Sequence, residues 1–293
     1  MRAPSKFSVA LALLASAAAG DASAAGRHVV LIVIDGLRPD AIAAASAPNL
    51  QALAAAGSTL PARAVGLPVT MPGLVTMTTG LAPERHHVTW DDERADFSLE
   101  LPTIFTAVHA AGGHSALYVG KSKLRVLASP GTADVVHGPT AKNREWDEGA
   151  AAALAGHFAS EFPAQRFTFA LVHLREPDHV GHDYGWMSER YLAAVRDADA
   201  AVGVIRKAIA GSDAAGSTTV LVTADHGGEG KRHWAGSEIS WQVPWICAAP
   251  GARRPAPPGT QALLTDVAPT VLAILGLPAL PGAEGHPVPG CAP

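Results

Sequence analysis

The chain has 293 residues, 48% of them hydrophobic and 16% charged, with a formal net charge of −4 at pH 7. This suits one large α/β domain, or at most two, with ample material for a buried core. The basic residues are scattered, so there is no electrostatic case for a nucleic-acid-binding surface.

Residues 1–24 read as a signal peptide: Arg2 and Lys6 give a positive start, Phe7 to Ala19 an apolar run, and Ala22-Ser23-Ala24 a small-residue cleavage site. An uncleaved N-terminal anchor is the alternative. No later segment offers the roughly 20 uninterrupted apolar residues of a membrane span. The expected mature chain starts near Ala25 and is periplasmic or secreted.

His28 to Ile34 is a continuous apolar strand closed by Asp35-Gly36, the kind that sits inside a parallel sheet. A carboxylate at such a strand end costs desolvation unless a cation or hydrogen bonds compensate. Pro48 to Gly57 reads as a short helix with a glycine stop. Thr70 falls at the expected N-cap of a helix running through Leu74 to Thr79, with Pro72 in its first turn. It is either a plain cap or a hydroxyl placed to become an alkoxide beside a metal.

Gly80 to Asp92 is a polar connection, and Pro102 to Ala111 a helix. Ser115 to Val119 is a strand that ends in Gly120-Lys121-Ser122-Lys123, whose two ammonium groups are either solvated or face an anion. Glu145 to Phe162 has helical composition, and Phe167 to Leu174 is the next strand. It leads to His173-Leu174-Arg175-Glu176-Pro177-Asp178, where Asp178 and His182 share a face if the segment is helical. Glu189 to Ile209 is a long helix with Leu192, Val195, Val202, Ile205 and Ile209 as its core stripe.

Val220 to Thr223 is a buried strand delivering Asp225-His226-Gly227-Gly228, and His233 follows. Alone, that segment is as readily a turn as a site; as part of a site, its glycines read as clearance for a ligand. Val243 to Ala249 is a strand, Pro250 to Gly259 a turn, and a helix begins near Thr265-Asp266. Pro278 to Pro293, with its five prolines, looks like a loose tail. Cys247 and Cys291 are the only cysteines; export permits a disulfide, and a buried thiol at Cys247 is equally compatible. Alternation of strands and helices predicts a sheet with helices on both faces.

Together the strand ends offer Asp35, Asp178 with His182, and Asp225 with His226, plus Thr70 and His233. Oxygen and imidazole donors in this number suit two divalent, zinc-like ions. Such a pair can clamp the attacking and leaving oxygens of a phosphoryl transfer.

From about Val29 to Leu277 the chain resembles the alkaline phosphatase superfamily, specifically its type I phosphodiesterase/nucleotide pyrophosphatase branch. The resemblance rests on Asp35-Gly36, Pro48-Asn49-Leu50, Thr70-Met71-Pro72, Thr79-Gly80-Leu81-Ala82-Pro83, Asp178-x-x-Gly181-His182, Asp225-His226-Gly227-Gly228 and Asp266-x-x-Pro269-Thr270, in that order. It implies a three-layer α/β/α sandwich around a central, mostly parallel sheet. The domain spans residues 25–277, with a Pro-rich tail over 278–293.

The resemblance further implies that Asp35, Asp225 and His226 hold one metal with Thr70, the nucleophile. Asp178 and His182 hold the other with a third histidine, His233 in preference to His286. Two divalent ions, expected to be zinc, are the implied cofactors, and a small phosphate ester the implied partner. In many relatives the segment matching His87-Val88-Thr89-Trp90-Asp91 ends in an Asn that donates to a phosphoryl oxygen; Asp91 cannot donate when ionised. A register shift involving Asp92 is the alternative. Lys121 and Lys123 resemble a basic pair of monoester-cleaving members and would compensate by binding the anion.

The implied chemistry is phosphomonoester or phosphodiester hydrolysis through a phospho-threonine. Competing readings are a non-catalytic metal- or phospholigand-binding relative, and a sulfatase or phosphonate hydrolase of the same superfamily. The sulfatase Cys/Ser signature is absent at Thr70.

Overall fold

Strand β1, His28–Ile34, lies inside an eight-stranded sheet, and Val29 to Ile34 are fully buried. Successive side chains of a strand point to opposite faces, so burial of the whole run means that both faces of the sheet are covered. The computed structural model describes residues 26–142, 149–251 and 256–292. The signal-peptide expectation for residues 1–24 lies outside them.

The further strands are β2 (Ser58–Arg63), β3 (Ser115–Val119), β4 (Val135–His137), β5 (Phe169–Leu174), β6 (Thr218–Thr223), β7 (Gln242–Ala248) and β8 (Ala262–Leu263). The helices are α1 (Ala41–Ala44), α2 (Pro48–Ala56), α3 (Thr70–Thr79), α4 (Pro83–His86), α5 (Ile104–Ala110), α6 (Ala151–Gln165), α7 (Glu176–Tyr184), α8 (Glu189–Ala210), α9 (Glu238–Trp241) and α10 (Val267–Leu275). In the sheet the order is β4-β3-β5-β1-β6-β7-β2-β8. Among the described strands only β7 runs antiparallel to its neighbours, so the sheet is mostly parallel, as expected.

Helices α1, α2, α6 and α7 pack on α8, whereas α3 and α5 pack on α10. These two groups form the outer layers of the sandwich. No helix among the described residues is long and apolar enough to cross a membrane.

Several local expectations change. Thr70 is the first residue of α3 and Val69 is its N-cap, so the threonine hydroxyl is not spent on capping. Helix α6 begins at Ala151; residues 145–148 of the expected helix lie outside the described residues.

The C-terminal segment is not a loose tail. Cys291 is disulfide-bonded to Cys247 of β7, and Leu280 and Val288 are buried. The Glu284 amide donates to the Gly80 carbonyl at 2.8 Å and the Val288 amide to Thr270 Oγ1 at 2.9 Å. Backbone hydrogen bonds thus seat the segment against α3 and α10 despite its prolines.

Candidate active site

The parallel register fixes where the polar residues gather. Val33 of β1 pairs with His173 of β5 and with Thr223 of β6, so these strands end at one level. Asp35 leaves β1 there, Asp178 and His182 follow on α7, and Asp225-His226 follow β6. From the same edge, β3 delivers Lys121. Such strand ends are where ligands bind in open α/β sheets. Asp178 and His182, four residues apart on α7, face the same way.

Asp178 Oδ1 lies 3.4 Å from His182 Nε2, 3.7 Å from His233 Nε2 and 3.8 Å from His226 Nε2. Asp35 Oδ1 and Asp225 Oδ2 approach His226 Nε2 at 3.4 and 3.5 Å, and Thr70 Oγ1 lies 3.4 Å from the same nitrogen. The structure therefore brings together Asp35, Thr70, Asp178, His182, Asp225, His226 and His233.

The opposite nitrogen of each histidine is anchored. Nδ1 of His182, His226 and His233 meets the carbonyl of Lys231, Gly227 and Pro68 at 3.1, 2.9 and 2.8 Å. A carbonyl can only accept, so each Nδ1 carries the proton, and in a neutral ring Nε2 offers its lone pair inward. Asp35 Oδ1, Asp178 Oδ1 and Asp225 Oδ2 are buried and have no hydrogen-bond partner among the described residues. Buried acceptors without donors, facing imidazole lone pairs, are what a cation would satisfy. The donor set fits divalent metal, with Asp178, His182 and His233 as one group and Asp35, Asp178 and His226 as another.

His286, the alternative third histidine, is exposed, and its amide bonds Asp266 at 2.9 Å.

The electrostatics follow from three buried carboxylates facing one ammonium. Lys121 Nζ bridges Asp35 Oδ2 at 2.7 Å and Asp178 Oδ2 at 2.8 Å, and donates to Thr70 Oγ1 at 3.1 Å. Burial and Asp178 push the Asp35 carboxyl up, but Lys121 and His173 outweigh them and hold it below the usual carboxylate range. Burial, reinforced by Asp35, pushes Asp225 up to about 6. For His233, burial and the stacked His226 ring lower the pKa to about 4. His226 is raised: burial opposes its charge, but Asp225, Asp178 and Asp35 win.

Asp91, rather than Asp92, reaches the site. Its Oδ1 accepts the Met71 amide at 2.9 Å in the first turn of α3 and pairs with Lys123 Nζ at 2.6 Å. Lys123 also donates to the Asp91 carbonyl at 2.7 Å. The carboxylate that would repel a phosphate is thereby paired, and Lys123 is turned toward it. A cleft of about 290 Å³ lined by Lys121, Lys123, Arg175, Asp178 and His182 opens alongside.

The glycines after His226 serve packing rather than ligand clearance. A Cβ at Gly227 would stand 2.3 Å from the Ile239 carbonyl oxygen, and one at Gly228 would stand 2.2 Å from the Trp186 ring.

Sequence reading gave no role to His173. It is fully buried in β5, and its Nε2 meets Asp35 Oδ2 at 3.0 Å. An imidazole inside an otherwise apolar strand was the available signal; its partner depends on strand order.

A sandwich whose parallel strand ends converge acidic and imidazole side chains places the chain in the alkaline phosphatase superfamily. Within it, the chain belongs to the type I phosphodiesterase/nucleotide pyrophosphatase family, whose model matches residues 29–232. GPI ethanolamine phosphate transferase 2 of Aspergillus fumigatus is 28% identical over 211 residues, covering 68% of this chain and 27% of that protein. The chain thus spans about a quarter of the length of the curated relatives it matches. Murine ectonucleotide pyrophosphatase/phosphodiesterase 5, inactive and in complex with AMP, superposes with TM-score 0.71 at 15% identity, covering 89% of this chain and 97% of that one. A phosphonate monoester hydrolase from Silicibacter pomeroyi gives TM-score 0.64 at 17% identity, covering 91% and 77%.

Proposed function

We propose that residues 25–277 form an exported, two-metal phosphoric ester hydrolase that acts through Thr70. The observation that carries this reading is the convergence of three carbonyl-anchored imidazoles on the unpartnered Asp178 Oδ1. Asp35, Asp225, His226 and Thr70 would hold one metal, and Asp178, His182 and His233 the other. Nitrogen and oxygen donors without thiolate suit zinc. Bound there, the metals supply Lewis acidity and a lowered pKa for oxygens they contact.

The chain's own groups do the rest. Thr70 Oγ1 stands at the start of α3, where the helix dipole favours negative charge. Its oxygen attacks phosphorus in line, the ester alcohol departs, and water then cleaves the phospho-threonine to restore the hydroxyl. Lys121, hydrogen-bonded to Thr70 Oγ1, faces the charge that develops there. Asp91 and Lys123 border the substrate side; their mutual pairing favours a monoanionic diester over a dianionic monoester.

The Cys247–Cys291 bond supports a periplasmic or secreted location, since disulfides persist in oxidising compartments. The test is Thr70→Ala, assayed with zinc on p-nitrophenyl diesters and monoesters. Turnover should fall by about a thousandfold or more with folding unchanged. Near-wild-type turnover would remove Thr70 as nucleophile, and inactivity of the zinc-loaded wild type on every ester would favour a binding protein.

A further inference from the structure

A second cluster of metal-ligating side chains lies outside the strand-end site, between α6 and the edge strand β4. His157 and Glu161 are four residues apart on α6 and so project from one face. His137 reaches them from β4. One donor atom from each of the three lies within 4.8 Å of the others. His137 Nε2 meets Glu161 Oε1 at 2.6 Å, and the two imidazoles stack with centroids 4.0 Å apart.

The carboxylate is held from behind. The buried Tyr118 hydroxyl donates to Glu161 Oε2 at 2.6 Å, leaving Oε1 turned to His137. The Tyr118 ring lies parallel to that of His137 at 5.6 Å, fixing its plane. Two of the three donors are therefore already oriented by a residue that does not itself ligate, as outer-shell partners orient metal ligands. Zinc bonds of about 2.0–2.2 Å require donors roughly 3.3 Å apart. His137 Nε2 and Glu161 Oε1, now 2.6 Å apart across a hydrogen bond, part to that spacing when the ion replaces the shared proton, and the exposed His157 closes on them by side-chain rotation.

The geometry points to a zinc site formed by His137, His157 and Glu161, separate from the catalytic metals. Two imidazoles and a carboxylate make a three-ligand set, with water as the fourth donor. Its role is structural. Strand β4 is three residues long and, among the described strands, pairs only with β3, and the metal would clamp this edge to α6.

The test dialyses the full chain against zinc and counts bound metal in wild type, His157→Ala and Glu161→Gln. Wild type should hold one equivalent more than either variant, and both variants should keep their ester-hydrolase rate. Hydrogen exchange locates the lost ion: zinc should slow amide exchange in Val135–His137 in wild type and leave His157→Ala unchanged there. Equal stoichiometry in the three proteins, or a lost equivalent with no difference in exchange at β4, overturns the site. The outcome is independent of whether Thr70 is the nucleophile.

Discussion

Asp178 and His233 face each other across 3.7 Å, with the far nitrogen of the imidazole fixed 2.8 Å from the Pro68 carbonyl. The ring is thus aimed before any cation arrives. At the strand ends His233→Ala should bind one metal tightly instead of two, with ester hydrolysis falling accordingly, while the His137–His157–Glu161 site still fills. Titration with zinc by calorimetry measures this; full occupancy of both sites in the variant would return the third-ligand role to another residue.

Replacing Asp91 by Asn keeps an oxygen for the Met71 amide and removes the charge that holds Lys123. The variant should gain kcat/KM on a phosphate monoester relative to a diester, because Lys123 is released toward the cleft. Its stability should stay within about 1 kcal/mol, since the lost pair is partly exposed. Steady-state rates on the two model esters check the shift, and an unchanged ratio would place Asp91 outside substrate selection.

His86 gives a pH dependence away from the strand-end site. It is buried, its Nδ1 accepts the Val88 amide at 3.0 Å, and its Nε2 meets Thr76 Oγ1 at 3.1 Å. Burial lowers its pKa from 6.5 to about 4. The unfolded chain therefore binds a proton at higher pH than the folded one. The associated stability is complete above pH 6.5, falls as pH drops through that value, and levels off near pH 4. The loss is at most about 3 kcal/mol. Denaturant titrations of wild type and His86→Gln across that range should show the wild-type slope flattened in the variant.

The Cys247–Cys291 bond closes a stretch with sequence separation 44. Cross-links of that length contribute about 2–4 kcal/mol, chiefly by restricting the unfolded chain. Cys291→Ser should lower Tm accordingly and raise protease sensitivity over residues 278–292, while zinc binding at the strand ends is retained. A calorimetric scan of the two proteins decides it.

Contiguous apolar runs made β1 and β3 legible residue for residue, because parallel strands buried on both faces are mostly apolar. Strand β2 was missed: Pro61 interrupts it, and its pairing with β7 and β8 is set by tertiary order. The edge strands β4 and β8, of three and two residues, are too short to carry a pattern. In the site, acids and imidazoles at strand ends could be read because each breaks an apolar run. His173 could not, since its partner Asp35 is named only by the β1–β5 register. The Asp91–Lys123 pair is likewise invisible along the chain, where its members stand far apart on separate loops.

The central position of β1 sets a timetable for biogenesis. It emerges first among the described strands, yet Val29 waits for Phe169 and Thr219 as its sheet neighbours. At roughly 5–20 residues per second of synthesis, this most apolar strand stays unpaired for about 10 seconds or more. A chain that cannot close its sheet early stays extended for longer, and the strand-end cluster of Asp35, Asp178, Asp225 and His226 does not exist until β6 has docked. Folding order itself thus delays assembly of the strand-end cluster until nearly the whole domain has been made.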